Sequence, residues 1–290
     1  TDLVLVVGDV NSTLACALVA SKLQIKVAHF EAGLRSGDRR MPEEINRLAT
    51  DAISDLFFVT EPSGQENLLR EGHNPKNIHF VGHVMIDNLY YQLEKLKQRS
   101  EDSLDTSKVK ALLRQRNGRY ATMTLHRPSN VDSEISLKGI LGAINVLAEE
   151  LPIAFAVHPR TRANIEKWNI EFHPNVRLLK PLSYMEFLNL WKDAACVFTD
   201  SGGLQEETTG LGVQCITLRD TTERPITIKE GTNTLAGINP QSIISCARTA
   251  LTTTQAHRKP LLWDGKAADR LADVLVDKSS AFTVGQVLPQ

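Results

Sequence analysis

The chain has 290 residues, 42% hydrophobic and 23% charged, which is the composition of a soluble globular protein with room for one large or two ordinary domains. Its 33 lysines and arginines almost cancel 34 aspartates and glutamates, so the charge balance offers no footprint for nucleic acid or an anionic membrane. No apolar run is long enough to span a bilayer, and no basic-then-apolar leader pattern is visible. Cys16, Cys196, Cys215 and Cys246 form no CxxC pair and sit in apolar stretches. They read as reduced core residues of a cytoplasmic protein rather than disulfides or metal ligands.

Strand-like and helix-like segments alternate from the start. Leu3–Val7 reads as a strand, and Ser12–Leu23 has helical periodicity through Leu14, Leu18 and Val19. Ile25–His29 is a second strand, followed by a polar loop. Pro42-Glu43-Glu44 opens a helix, since proline suits a first turn and carboxylates suit the positive end of the helix dipole. Leu56–Val59, Ser63–Glu71, Asn77–Val81 and His83–Gln98 continue the pattern as strand, helix, strand and helix. The charged, serine-rich stretch Lys97–Lys108 has almost nothing to bury and reads as a linker. Alternation then resumes, with strands near Tyr120–Leu125, Ile153–Val157, Val176–Leu179, Ala195–Phe198 and Gln214–Thr217, and helices between them. Uniformly apolar strands separated by helices predict parallel sheets covered on both faces. The expected architecture is α/β, with one Rossmann-like domain over residues 1–100, a second over 108–276, and a ligand cleft at the carboxyl ends of the strands.

Several polar residues fall at those strand ends. Asp200-Ser201-Gly202-Gly203-Leu204-Gln205-Glu206-Glu207 follows a strand and opens a helix. Glycines there let backbone N–H groups approach an anion, Ser201 adds a donor, and Glu207 lies where a carboxylate could accept from ribose hydroxyls. A plain strand-to-helix turn with Ser201 as its cap is the alternative. Asp9, Glu31, Glu43, His126-Arg127 and His158 are placed similarly. Each has a structural reading as well: Asp9 as a cap, Glu31 as a partner of Arg35, Glu43 as a dipole charge, and the histidines as satisfied surface or core residues. The loop Arg219–Pro225 brings two arginines and two threonines to another strand end, either for phosphate or as a charged surface. No HExxH, GxSxG or GxGxxG occurs, which argues against a metal site, a serine nucleophile and a conventionally bound nicotinamide.

Gly8-Asp9, His29-Phe30-Glu31-Ala32-Gly33-Leu34-Arg35, Pro42–Arg47, His126-Arg127, Asp200–Glu207 and Arg219–Pro225, in this order, resemble the non-hydrolysing UDP-N-acetylglucosamine 2-epimerases. The resemblance covers nearly the whole chain. It implies a GT-B fold, no cofactor, and inversion at C2 of the sugar by elimination and re-addition of UDP through a 2-acetamidoglucal. Asp9, Glu31 and Glu43 would then be the acid/base carboxylates, with His126 assisting at the departing diphosphate. Ser201, Gly202, Gly203 and Glu207 would hold phosphates and ribose, with His158 and Arg224 nearby. Phe187 would stack on uracil, and Leu182 would offer its backbone to the base. The partner expected is UDP-N-acetylglucosamine, and the assembly a homodimer.

The family's opening strand and Gly-Thr-Arg-Pro-Glu segment have no counterpart here. The resemblance therefore implies that about three βα units of the first domain are absent, leaving that sheet with an unpaired edge. His126–Asp132 is closer to the archaeal-type and related branches, so the resemblance does not carry over the allosteric control by substrate of some bacterial members. Three alternatives remain at this point. A UDP-sugar glycosyltransferase of the same fold would need an acceptor, and a sensor would have no use for the carboxylates. A 2-epimerase for a 2,3-diacetamido sugar or uronic acid nucleotide would share every motif above.

Overall fold

A computed structural model describes residues 1–99, 103–115, 118–252 and 259–278. Their contacts divide into two compact units, Thr1–Asn88 with the C-terminal segment from Pro260 onward, and Leu89–Lys259.

The first unit runs β1 (Leu3–Val7), α1 (Asn11–Lys22), β2 (Lys26–Phe30), α2 (Pro42–Ala52), β3 (Leu56–Val59), α3 (Pro62–Arg70) and β4 (Ile78–Phe80) into α4 (Val84–Lys97). The four strands pair in parallel in chain order. Side chains alternate between the two faces, as the two-residue period of a strand requires. Ala28, Phe30, Leu56 and Phe58 point to one face, while Val6, Val27, Phe57 and Val59 point to the other. Val7 is in register with Phe30, so Gly8-Asp9 and Glu31 leave the sheet side by side. On α1 the buried stripe is Thr13, Ala17 and Ala20. Leu18 and Val19, which the periodicity placed inward, are exposed, and so is Cys16. Small side chains let α1 lie close to the sheet, so its large apolar residues and Cys16 are turned outward. Cys196 and Cys215 are buried and Cys246 is half-buried.

The second unit continues with α5 (Asp105–Arg114), β5 (Ala121–Leu125), α6 (Pro128–Val131), α7 (Glu134–Ala148), β6 (Ile153–Val157), α8 (Pro159–Lys167), β7 (Val176–Leu179), α9 (Tyr184–Trp191), β8 (Cys196–Thr199), α10 (Gly202–Leu211), β9 (Gln214–Thr217), α11 (Pro225–Lys229), β10 (Asn233–Leu235) and α12 (Pro240–Thr252). Its parallel sheet has the order β10-β9-β8-β5-β6-β7. The chain builds outward from β5 to β7 and then returns to β5's other side with β8. The crevice between β5 and β8 is thus a topological switch point, where loops leaving adjacent strands diverge and open a ligand site. One sheet face is sealed by α7 and α12 through Leu137, Ile140, Ile144, Ile243 and Ala247.

The last described helix, α13 (Ala267–Asp277), belongs to the first unit. Its Leu271, Val274 and Leu275 cover the face formed by Ala28, Phe30, Leu56 and Phe58. Buried Trp263 donates from Nε1 to the Thr60 carbonyl at 3.1 Å and meets His83 edge-on. Gly82 makes this crossing possible, because a Cβ there would lie 2.1 Å from the Leu262 carbonyl oxygen. The division read from sequence, 1–100 and 108–276, therefore differs from this one: residues 89–100 and 260–276 change sides. An amphipathic helix carries no mark of which sheet it will cover. The expected linker also differs, since α5 begins at Asp105, where the Glu186 carboxylate accepts from the Asp105 and Thr106 N–H groups at 3.1 and 3.0 Å.

Trp263→Ala should remove about 3–5 kcal/mol of stability, the usual loss for a buried aromatic cut to alanine. Urea unfolding followed by hydrogen exchange on β3 and β4 will locate that loss in the first unit.

Candidate active site

In the first unit, the inward face of α2 is polar. Glu44, Asn46, Arg47, Thr50 and Asp51 are all buried. Buried charges persist only when paired, and here they are. Arg47, 2% exposed, bridges Asp9 at 2.5 Å and Glu44 at 2.7 Å. Glu44 also accepts from the Ser36 and Gly37 N–H groups, both at 2.9 Å. Burial would raise the Glu44 carboxyl, but the Ser36 N–H, Arg47 and Gly37 N–H outweigh it and hold the group below its ordinary value. Asn46 donates to the Asp9 carbonyl at 2.9 Å and to Asn11 at 3.0 Å. Asp9 is thus a loop residue tied to α2. It does not cap α1, whose N-cap is Val10 without a side-chain bond.

Glu31 follows β2 with φ +66°, a left-handed backbone that costs a non-glycine residue about 1–3 kcal/mol. The neighbouring contacts hold it there. Ala32 N–H donates to Phe58 O at 3.2 Å, and Gly33 is seated so tightly that a Cβ would lie 2.2 Å from Gly64 O. Arg35 turns to Asp51 and Glu71, at 2.7 and 2.6 Å. Glu43 stands exposed on the first turn of α2. The three carboxylates singled out in the sequence therefore lie on the β1 loop, the β2 loop and the start of α2. Asp9 is joined to α2 through Arg47 and Asn46.

In the second unit, the switch point is organised by Asp200, which is fully buried. It accepts from the His126 N–H at 3.1 and 3.2 Å, the Arg127 N–H at 2.8 Å and Asn130 Nδ2 at 3.2 Å. His126 Nδ1 lies 3.1 Å from its Oδ1. Burial would raise the Asp200 carboxyl, but these bonds, with His126 first, hold it below its ordinary value. Half-exposed His126 is thereby fixed by its Nδ1 edge. His158 caps α8 by accepting from the Arg160 N–H, and its ring centroid lies 6.3 Å from that of His126. Ser201 is the N-cap of α10 by backbone, with no side-chain capping bond. At Gly202 a Cβ would come within 2.8 Å of Glu223 Oε1, so that glycine makes room for a carboxylate of the protein itself.

The arginine-bearing loop after β9 is paired internally. Arg219 meets Glu223 at 2.7 Å, and Arg224 meets Glu206 at 2.6 Å. Burial opposes ionisation of Glu223, yet Arg219 and Arg224 pull its carboxyl down to about 2. Gln205 knits the same region by accepting from Thr222 and Asn233. Glu207 is buried on α10 and accepts from the Tyr184 hydroxyl at 2.7 Å. Phe187 and Leu182, both half-buried, lie on α9 and in the loop before it.

A family model described as UDP-N-acetylglucosamine 2-epimerase matches residues 1–276. The chain is 41% identical over 282 residues to the UDP-N-acetylglucosamine 2-epimerase of Methanocaldococcus jannaschii, covering 94% of this chain and 75% of that one. The chain belongs to the UDP-N-acetylglucosamine 2-epimerase family. A crystal structure of the M. jannaschii enzyme in complex with UDP-GlcNAc and UDP matches with a TM-score of 0.83 at 39% identity, over 95% of this chain and 76% of that one. The UDP-GlcNAc 2-epimerase of Neisseria meningitidis bound to UDP-GlcNAc matches at 0.81 and 30% identity, over 95% and 76%. A UDP-2,3-diacetamido-2,3-dideoxy-D-glucuronate 2-epimerase of Pseudomonas aeruginosa is 38% identical, over 94% of this chain and 74% of that one. The fold is α/β of the GT-B class, and this epimerase-family chain is an isomerase-type enzyme.

Sequence reading of this family member missed the residues that hold the others. Arg47, Asp51, Glu44, Tyr184 and Glu223 each contact or flank a residue it named. A usable signal was present in α2, where Glu44, Arg47 and Asp51 fall on the same face as Thr50 and Asn46, which an amphipathic surface helix would keep apolar.

Burial lifts the Glu207 carboxyl to about 7; the Tyr184 hydrogen bond opposes this and the neighbouring Glu206 carboxylate adds to it. Its ordinary value is 4.5, so the folded chain binds this proton more tightly than the unfolded chain does. The resulting stabilisation is complete below the ordinary value and is lost as pH rises through about 7. Between about pH 5 and pH 8.5, the wild type should lose roughly 3 kcal/mol of stability relative to Glu207→Gln, as read from denaturant unfolding of both at each pH.

Proposed function

We propose that this chain interconverts UDP-N-acetylglucosamine and UDP-N-acetylmannosamine, with Asp9, Glu31 and Glu43 as its acid/base groups. The observation that carries this reading is that Asp9, held by Arg47 and Asn46, and Glu31, held in a left-handed turn, leave the aligned carboxyl ends of β1 and β2 together. A sugar transferase or a sensor has no use for carboxylates held in this way.

The chemistry follows from the substrate. A carboxylate takes the C2 hydrogen as a proton, the C2–H electron pair becomes the C1–C2 double bond, and the C1–O bond breaks with its pair going to the β-phosphate. The products are 2-acetamidoglucal and UDP. Re-addition of UDP to C1, with a proton delivered to C2 from the opposite face, gives the epimer. Inversion needs acid/base groups on both faces of the ring, which is why more than one carboxylate is called for. The C2 hydrogen is weakly acidic, so charge developing on the diphosphate must be stabilised as it leaves. His126 suits that role: Asp200 holds its Nδ1 edge, leaving Nε2 to meet the phosphate. The start of α10, with Ser201, Gly202 and Gly203, is the proposed phosphate site, favoured by the helix dipole. His158 and Arg224 flank it, Arg224 through its hold on Glu206. In this reading Glu207 accepts from ribose, Phe187 stacks on uracil, and Leu182 presents its backbone to the base. Family resemblance further supports a cytoplasmic homodimer serving polysaccharide synthesis; among the described residues no helix is long and apolar enough to cross a membrane.

Incubation with UDP-GlcNAc alone in D2O tests the reading. Deuterium should enter C2 and UDP-ManNAc should accumulate without any acceptor; a C2 position that keeps its hydrogen refutes the assignment. Asp9→Asn, Glu31→Gln and Glu43→Gln should each lower kcat by about 10²–10⁴-fold, the usual share of general acid–base catalysis, while UDP affinity by calorimetry holds. Product analysis with the 2,3-diacetamido uronic acid nucleotide in parallel decides between the two sugars.

A further inference from the structure

His29 and Asp51 have no part in the chemistry above, yet both are essentially sealed from solvent, with side chains 0% and 1% exposed. Burying two ionisable groups is costly unless every polar atom is matched. The matching here is complete and directional. His29 Nδ1 lies 2.6 Å from Asp51 Oδ1, and its Nε2 lies 2.9 Å from the Gly8 carbonyl oxygen. A carbonyl oxygen only accepts, so Nε2 must donate. Asp51 Oδ2 accepts from the Gly33 N–H at 3.0 Å and from Arg35 at 2.7 Å, which favours the ionised carboxylate. Nδ1 faces the Asp51 carboxylate at the other edge, so the ring is held from both sides.

The places these bonds reach are the notable part. Gly8 immediately precedes Asp9. His29 lies two residues before Glu31, and Gly33 lies two residues after it. One buried pair therefore grips the backbone beside Asp9 and on both sides of Glu31. It does so where Glu31 holds a left-handed conformation that it would otherwise leave. The Glu31 Oε2 atom lies 4.0 Å from where a Gly8 Cβ would stand, so the two loops are in direct reach of one another. Arg35 extends the brace to Glu71 at the end of α3.

We propose that His29 and Asp51 are positioning residues for epimerisation, an internal clamp that sets Asp9 against Glu31. This rests on the acid/base reading of those two carboxylates. A clamp on catalytic geometry differs from general structural glue in what its loss changes. Misplacing a reacting group lowers kcat, whereas nucleotide affinity, assigned above to the second unit, stays.

The test uses His29→Gln and Asp51→Asn in the full chain, with UDP-GlcNAc turnover, C2 deuterium exchange and UDP calorimetry. The expected result is a kcat about a hundredfold lower, exchange slowed by the same factor, and KM and UDP affinity within about threefold of wild type. Variants that turn over within about threefold of an active wild type overturn the clamp while leaving the proposed function standing. A wild type that never exchanges the C2 hydrogen overturns the acid/base reading instead. Should His29→Gln fail to fold, solvent exchange of the ring protons in ¹⁵N-histidine-labelled wild type decides. A His29 Nε2 proton protected from exchange by its bond to the Gly8 carbonyl supports the clamp, and one that exchanges freely overturns it.

Discussion

Asp200 sits with no solvent contact at the end of β8, and an ionised carboxylate in that position must find donors or become neutral. It finds them in the loop that leaves β5: two backbone N–H groups, the Asn130 amide and the edge of His126. That requirement joins the two strands at which the sheet order reverses. The crevice between β5 and β8 is therefore not merely a consequence of topology. It is pinned at a fixed width by a charged group, and the side chains that line it inherit their orientation from that group.

The first unit solves the same problem with a different carboxylate. Asp51 comes from a helix, not a strand end, and gathers His29, the Gly33 N–H and Arg35. Beside it, Arg47 gathers Asp9 and Glu44. Asp9 and Glu31 in the first unit, and His126 in the second, are reachable loop residues whose backbones or side chains are held by a buried charge. This division of labour makes physical sense. A group that exchanges protons with a ligand must be reachable, while the group that fixes its position benefits from low dielectric and the absence of competing water.

Internal pairing also decides where the charges of the loop after β9 turn. Arg219 and Arg224, which the sequence left open between phosphate ligands and surface charges, are spent on Glu223 and Glu206. Gly202 accommodates Glu223 as well as a helix start. The phosphate site proposed at α10 therefore draws on backbone N–H groups and the helix dipole more than on arginine side chains, which fits a leaving group that must be released and recaptured within one catalytic cycle.

Much of this was written in the sequence. Apolar runs such as Leu56–Val59 and Ile153–Val157 became strands at the expected positions, because a strand buried on both faces is uniformly apolar whatever its neighbours. The ordered motifs around Asp9, Glu31, Glu43, His126 and Asp200–Glu207 were enough to name the family, because so many matches in one order are specific to it. Tertiary structure alone decided what holds them. That α13 closes the first sheet, that α1 buries its alanines and exposes Leu18 and Val19, and that Tyr184 reaches Glu207 all depend on contacts between distant segments. The His29–Asp51 pair shows the limit most plainly. A histidine in an apolar strand and an aspartate on a helix are separated by 22 positions, and nothing local to either distinguishes a clamp from two unrelated polar residues. Only folding brings the two together and excludes the water that would otherwise satisfy both.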